Sequence, residues 1–164
     1  MTALVPSLLL LATLGSGLIA GLFCVFSNFM MRALAWIPTP TGIAAMQAIN
    51  RAIVNPAFLV AFFGTGVAFA LAVLLGWRQL DSASLAWAIA GGAAYLIGGI
   101  GVTLAFNVPL NDRLASADPD SEEGSAAWAI YLVTWVRWNH LRSIATLIST
   151  LCSIIAIWLA NGHG

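Results

Sequence analysis

Eight consecutive residues contain many of the side chains in this sequence that could bind a ligand or take part in catalysis. The segment 135–142 reads Trp-Val-Arg-Trp-Asn-His-Leu-Arg, and it contains one of only two histidines in the sequence. It lies directly before an apolar run that is long enough to cross a membrane. Polar groups at the edge of a bilayer are costly, so those that occur there usually have a function.

Helical spacing puts several of these side chains on one face. At about 100° per residue, one arc of a helix carries Trp128, Tyr131, Trp135, Trp138, Asn139 and Arg142. This aromatic stripe could line a pocket for a flat, apolar molecule, with Asn139 and Arg142 holding an oxygen at one end. It could equally be a belt of aromatic residues at the membrane interface, which is common in membrane proteins.

His140 falls on a different face and is a candidate general base, because imidazole titrates near neutral pH. Asp112 is the other candidate, and a structural hydrogen bond is the alternative role for the histidine. The sequence has no HxxxH, HxxE or CxxC pattern, and His163 should lie across the membrane from His140. We therefore predict no metal site and no haem. No glycine-rich phosphate loop is present either, so we predict no cofactor.

Composition restricts the class of protein. The 164 residues are 61% hydrophobic and 7% charged, whereas soluble domains carry about a quarter charged residues. Lipid must therefore cover much of the surface, and membrane lipid is the first expected partner. The formal net charge of zero argues against nucleic acid, which requires clustered positive charge.

Four apolar runs predict four spans, at about 3–26, 57–77, 85–106 and 143–160, each near the roughly 20 residues that cross a bilayer. The predicted fold is all-α: a single-domain, four-helix transmembrane bundle with short interfacial helices in the first and third loops. The first helix should continue to about Leu34, and the first loop should form an amphipathic helix over 42–53.

Two points along the chain are less regular. Val108 precedes Pro109, so the third helix should stop or bend there, and Asn107 could cap a short helix that follows. Residues 121–160 contain no proline and would form a helix about 60 Å long at ~1.5 Å per residue. This helix must either project from the membrane or bend near residues 137–143.

The charges predict the orientation. Four spans place both termini on one side, with Arg78 alone, and put five arginines on the other side: Arg32, Arg51, Arg113, Arg137 and Arg142. The positive-inside rule then places the arginine-rich end in the cytoplasm and the termini outside a cell membrane. The same end collects the polar candidates for binding, which are Asn28, Gln47, Asn50, Asn107, Asn111, Asp112, Asn139 and His140.

Several segments together resemble the anthrone oxygenases and their relatives among small bacterial four-span membrane proteins. The specific ones are Asn-Val-Pro-Leu-Asn at 107–111 and Trp-Asn-His-Leu-Arg at 138–142; residues 21–29, 46–50 and 55–56 also contribute. The resemblance covers nearly the whole chain and implies a four-helix membrane bundle. In the anthrone oxygenase branch, O2 converts an anthrone to an anthraquinone without an evident cofactor.

The resemblance also implies roles. His140 would remove a proton from the ring methylene, and Arg142, Asn139 or Asn111 would hold the enolate oxygen. The remaining candidates would bind the substrate: Trp135, Trp138, Asn107, Asn28, Gln47 and Asn50.

A second hypothesis is a non-enzymatic membrane protein that binds a small apolar ligand or a partner. A transporter is disfavoured, because the polar residues gather at one end and leave the membrane midplane apolar. The substrate and the oligomeric state stay open. Gly17 and Gly21 could serve self-association or internal helix packing.

Overall fold

The computed structural model describes residues 4–162; Ala3, where the first predicted span begins, and His163 lie outside this range. Residues 4–162 form five helices and no strand: α1 (Leu4–Trp36), α2 (Thr39–Ile53), α3 (Pro56–Gly76), α4 (Ser82–Ala115) and α5 (Glu122–Gly162). All except α2 are long and apolar enough to cross a membrane. The predicted all-α, four-span bundle is confirmed.

The four spanning helices differ greatly in length. The 21 residues of α3 extend about 32 Å at ~1.5 Å per residue, close to the roughly 30 Å of a hydrocarbon core. The other three have 33 to 41 residues and extend about 50–60 Å. Their excess lies at one end, where α1 and α4 finish and α5 begins; we call this the extended end.

Helix α2 covers the extended end. It packs against the last turns of α1 and α4 and against α5, through an apolar cluster that includes Ile43 and Met46. Because α3 begins only at Pro56, it does not reach the extended end, and the three long helices have no fourth neighbour there. Helix α2 covers that gap and a cavity remains beneath it, so we call α2 the roof of the cavity.

Helix α4 does not stop at its proline, so the first of the two predicted outcomes, a stop or a bend, is wrong. The helix continues through Val108–Ala115, which is the short helix predicted for the third loop. A proline removes one N–H and crowds the preceding turn. The wider π-helical turn Thr103–Asn107 lies immediately before it and changes the hydrogen-bond register, so the helix can pass the proline. The predicted cap is also wrong, since Asn107 makes no side-chain cap hydrogen bond.

The other helix boundaries follow local chemistry. Helix α1 continues past residue 28 as predicted, through a π-helical turn at Phe26–Met30. Helix α5 is one uninterrupted helix of 41 residues, which at ~1.5 Å per residue is about twice as long as a hydrocarbon core is thick. The side chain of Asn55 accepts a hydrogen bond from the Phe58 backbone N–H, with Pro56 next to it, which is a standard helix start.

Hydroxyl groups join α1 to α5 along the bundle. The Oγ1 of Thr13 donates to Ser153 at 3.0 Å, and Ser16 and Thr150 lie 3.0 Å apart. The expectation that the membrane midplane carries nothing polar is therefore wrong for small hydroxyls. Because they bond to each other, they favour helix packing and give no path for a solute.

Small residues allow α4 to approach α5. A Cβ atom added to Gly98 would lie 2.3 Å from the Cβ of Ala145, which is bonded directly to the α5 backbone. Gly17 likewise faces Thr150 of α5. These glycines serve packing within the chain.

Replacing Gly98 with alanine should force α4 and α5 apart and destabilise the bundle by about 1–3 kcal/mol. The thermal unfolding midpoint in detergent, at a fixed scan rate, would fall. The matched control is Gly64→Ala on α3, where an added Cβ meets nothing within 4 Å. An equal midpoint for the two variants would contradict the close packing of α4 on α5.

Candidate functional site

The cavity beneath α2 has a volume of about 110 Å³ and touches all five helices. Its lining is mainly apolar, with a few polar groups. The lining residues are Leu22, Phe23, Phe26, Met46, Ile49, Asn50, Ile53, Val54, Phe58, Thr103, Val108, Asn111, Trp135 and Arg142. An apolar hollow with a few convergent polar groups is the usual form of a small-molecule site.

Arg142 is the one ionisable residue in this lining, and it is only 7% exposed. Its Nε donates to Asn139 Oδ1 at 2.9 Å, and its Nη1 donates to Thr103 Oγ1 at 3.3 Å. Its Cζ lies 3.9 Å from the ring centroid of Phe23 and 4.9 Å from that of Trp135. Cation–π contacts of this kind stabilise a desolvated guanidinium.

No carboxylate of residues 4–162 neutralises this charge. Among residues 4–162, the described partners of Arg142 are an amide oxygen, a hydroxyl and two aromatic rings. A buried charge without a counter-ion is costly, and the other Nη N–H groups have no described acceptor. The arrangement therefore suits a ligand oxygen that carries or develops negative charge.

Asn139 holds Arg142 in place. It is completely buried, and its Nδ2 donates to the Phe23 carbonyl oxygen at 2.9 Å and to Ser27 Oγ at 2.7 Å. Its Oδ1 accepts from Arg142, so its polar groups are already committed. The structure places Asn139 behind the guanidinium, as a residue that positions it.

Asn111 lines the cavity with its amide group fixed. Its Oδ1 accepts from the Tyr131 hydroxyl and from Trp135 Nε1, both at 2.7 Å. An indole nitrogen can only donate, so the atom next to it must be the amide oxygen. The Nδ2 of Asn111 therefore has no described partner and remains a donor for a ligand.

The aromatic stripe divides into two parts. Trp128, Tyr131 and Trp135 are buried and stacked in sequence, with ring centroids 5.7 and 5.4 Å apart, and only Trp135 lines the cavity. Trp138 lies apart from them and stacks on Phe106, with ring centroids 3.7 Å apart. The structure thus brings Trp135, and not Trp138, to the cavity.

Three of the predicted polar residues lie near the cavity or hold its roof. Asn50 lines the cavity and donates to the Tyr131 hydroxyl at 3.3 Å. Gln47 donates to the backbone carbonyl oxygen of Leu114, in the last turn of α4, at 2.8 Å and to that of Ala117, just after α4, at 3.0 Å. These bonds attach α2 to the end of α4. Asn107 is buried behind the lining, where its Nδ2 donates to the Trp135 carbonyl oxygen at 3.3 Å.

Three others are exposed and lie outside the lining: Asn28, Asp112 and His140. His140 shares the outer surface of α5 with Leu141 and Ile144. The structure does not bring its imidazole to the cavity, so its role in proton transfer stays a prediction.

Sequence reasoning missed Phe23 and Thr103, which contact the guanidinium. A signal for Thr103 does exist, since Thr103, Asn107 and Asn111 follow at intervals of four and share a helix face. Phe23 belongs to an apolar run, where nothing distinguishes the phenylalanine that faces Arg142.

A larger hollow of about 840 Å³ lies elsewhere, between α3 and α4 at the opposite end. It is a shallow groove on the lipid-facing side, and Arg78 and Gln79 are its only polar side chains. Its size reflects an open surface that lipid chains can fill. The smaller cavity holds the convergent polar groups.

Comparison with known families identifies the chain. The profile of the anthrone oxygenase family matches residues 48–152. The chain belongs to the anthrone oxygenase family. The match runs from α2 to α5 and includes Asn50, Thr103, Asn111, Trp135 and Arg142, so it spans the polar part of the cavity. No curated protein and no solved structure matches the chain. Within residues 4–162, no three His, Cys, Asp or Glu side chains are grouped as metal ligands would be.

Replacing Asn111 with alanine should leave the Tyr131 hydroxyl and Trp135 Nε1 without their acceptor. Each unsatisfied buried donor costs about 1–3 kcal/mol, so the thermal midpoint should fall and the tryptophan emission should change. The control is Asn28→Ala, because the exposed Asn28 interacts with Arg32 through its backbone oxygen. Unchanged stability in Asn111→Ala would contradict the proposed network.

Proposed function

We propose that this protein is a cofactor-independent oxygenase that acts on a flat, lipid-soluble aromatic molecule whose oxygen becomes anionic against Arg142. The observation that carries the proposal is the buried guanidinium without a carboxylate partner in an otherwise apolar cavity. Membership of the anthrone oxygenase family supports an anthrone as the first molecule to test.

The proposed reaction balances with O2 alone. Loss of a proton from the ring methylene moves the C–H electron pair into the ring system and makes the carbonyl oxygen an enolate. The carbanion carbon then gives its electrons to O2 and forms a C–O bond, which yields a peroxide. Protonation of the peroxide and loss of water, with the second methylene hydrogen leaving as a proton, forms the new carbonyl. Anthrone and O2 thus give anthraquinone and H2O.

Arg142 and Asn111 are the proposed stabilisers of the enolate. Both line the same cavity, and both retain N–H groups without a described acceptor. Donors that are fixed before the reaction are most effective where negative charge develops in a water-poor site. Asn139 fixes Arg142, while Tyr131 and Trp135 fix Asn111.

Proton removal has two candidate routes. Because Arg142 is the only ionisable residue that lines the cavity, we favour a route in which the guanidinium makes the substrate acidic enough for interfacial water to accept the proton. The alternative route uses His140, which would have to reach the cavity by a rearrangement. Oxygen uptake by His140→Ala distinguishes the two routes. Unchanged uptake removes His140 from the mechanism, whereas loss of uptake identifies His140 as the base.

The cavity is suited to the oxygen step. Its walls are largely aliphatic and aromatic, so they provide an apolar space in which the carbanion can meet O2, which is itself apolar. In this proposal the carbanion supplies the electrons, and the reaction uses no metal or organic cofactor.

We also propose that the extended end faces the cytoplasm of a cell membrane and that the termini lie outside. Arg32, Arg51, Arg113 and Arg137 are exposed at this end, and Arg78 alone is exposed at the other. The buried Arg142 need not be counted as a loop charge, and the positive-inside rule gives the same orientation without it.

Arg142→Gln should lower protein-dependent oxygen uptake with emodin anthrone by about 10²–10³-fold, as expected for loss of an oxyanion donor. Arg142→Lys should retain part of the activity, because it keeps the charge but loses the planar guanidinium. Uptake is measured after a shift from anaerobic to aerobic conditions, with metal-stripped protein and the spontaneous rate subtracted.

The matched control is Arg137→Gln, an exposed arginine on the same helix, which should leave uptake unchanged. Equal uptake by Arg142→Gln and wild type would contradict the proposal. Tight anthrone binding with no uptake above the spontaneous rate would instead favour the alternative function, a membrane protein that binds a small apolar ligand.

A further inference from the structure

The enclosed space is small for the ligand considered above. An engineered apolar cavity of about 150 Å³ binds one benzene ring, and the present cavity has about 110 Å³. Three fused rings exceed this volume. A ligand of that size can reach Arg142 only if one wall moves, so the structure must contain a wall that can move.

The solvent exposure of the lining side chains shows where the wall of the cavity is closest to the protein surface. The residues around the guanidinium, including Phe23 and Trp135, are buried. Val54 is the one lining residue that is exposed, at 64%, and Leu22 and Phe58 are half-buried members of the same lining. These last three residues, Leu22, Val54 and Phe58, form what we call the mouth.

The mouth is also the place where the helical walls are interrupted. Helix α2 ends at Ile53 and α3 begins at Pro56, so Val54 and Asn55 form a non-helical link. The link is held locally, by hydrogen bonds from Asn55 Nδ2 to the carbonyl oxygens of Ala52 and Ile53. Helix α2 itself packs against α1, α4 and α5, so the link can shift without unpacking the roof.

Counted from Leu4 as the first residue of the span, the mouth lies at a depth that lipid occupies. Leu22 lies 18 residues beyond Leu4, which is about 27 Å along α1 at ~1.5 Å per residue and just inside a hydrocarbon core of about 30 Å. Phe58 lies in the first turn of α3, at the same boundary. The side chains of the mouth are wholly apolar, so an uncharged molecule dissolved in the membrane can meet them without losing hydrogen bonds.

We propose that the ligand enters sideways from the lipid phase, through the mouth at Leu22, Val54 and Phe58, with outward movement of the Val54–Asn55 link. The class of ligand is then an uncharged, membrane-dissolved aromatic that becomes an oxyanion only when it meets Arg142. Water-soluble anions are excluded, because they would have to cross the apolar mouth. The proposal rests on the proposed function only in taking Arg142 as the binding group.

The test attaches a bulky group at the mouth. Val54→Cys is made in a Cys24→Ala, Cys152→Ala background, reconstituted in lipid nanodiscs and reacted with pyrene maleimide. The depth-matched control is Ile144→Cys, which is 56% exposed on the outer face of α5 near the level of Arg142. The probe is 4-nitrophenol, a single ring that is yellow only as its anion. It is mixed with the protein in a buffer more acidic than the pKa of the free phenol, where unbound probe is colourless, and the readout is the rate at which the yellow anion appears.

Labelling at position 54 should slow the appearance of the anion by about tenfold or more, because the route to the site sets the association rate. Labelling at position 144 should leave the rate unchanged. Equal rates for the two labelled proteins, or no yellow anion with the unlabelled protein, would overturn the proposal. Anion binding that depends on the mouth, together with no oxygen uptake from anthrone, would overturn the proposed oxygenase and leave the access route intact.

Discussion

The rest of the site depends on one buried charge, the Arg142 guanidinium. It lies between the rings of Phe23 and Trp135 and is oriented by Asn139, with no carboxylate among its described partners. Such a charge is costly to bury, and a carboxylate partner would have lowered that cost. Its absence leaves the cation available to a ligand. The hydrogen bonds from Asn139 to α1 and from Tyr131 and Trp135 to Asn111 hold the groups around it in fixed orientations.

A mismatch in helix length creates the space that this charge faces. Helix α3 is only as long as the membrane is thick, whereas α1, α4 and α5 continue beyond it. The gap above α3 is covered by α2, so the cavity lies near the level at which α3 begins. The position of the cavity therefore follows from the fold, and its chemistry follows from Arg142 and Asn111.

Much of the fold could be predicted because it follows from hydrophobic run length, but the orientations of side chains could not. The four spans, the capping of α3 by Asn55 and the continuation of α1 were all accessible from composition and local signals. The predicted stop at Pro109 is wrong, because the π-helical turn at Thr103–Asn107 lets the helix continue through the proline. The 135–142 segment indicated Arg142 and Trp135, and both line the cavity; their roles stay predictions. Helical spacing already put Asn139 and Arg142 on one face and His140 on another. It could not show that the Asn139 amide donates to the Phe23 carbonyl oxygen and to Ser27, because these contacts join distant parts of the chain.

The most direct test of the account is the ionisation of bound anthrone in the absence of oxygen. Anaerobic absorption spectra would be recorded over a range of pH with wild-type protein and with Arg142→Gln, each saturated with emodin anthrone. We expect the enolate spectrum to appear at lower pH on the wild-type protein than in free solution, and Arg142→Gln to abolish this shift. The same ionisation curve for the two proteins would show that Arg142 does not stabilise an oxyanion.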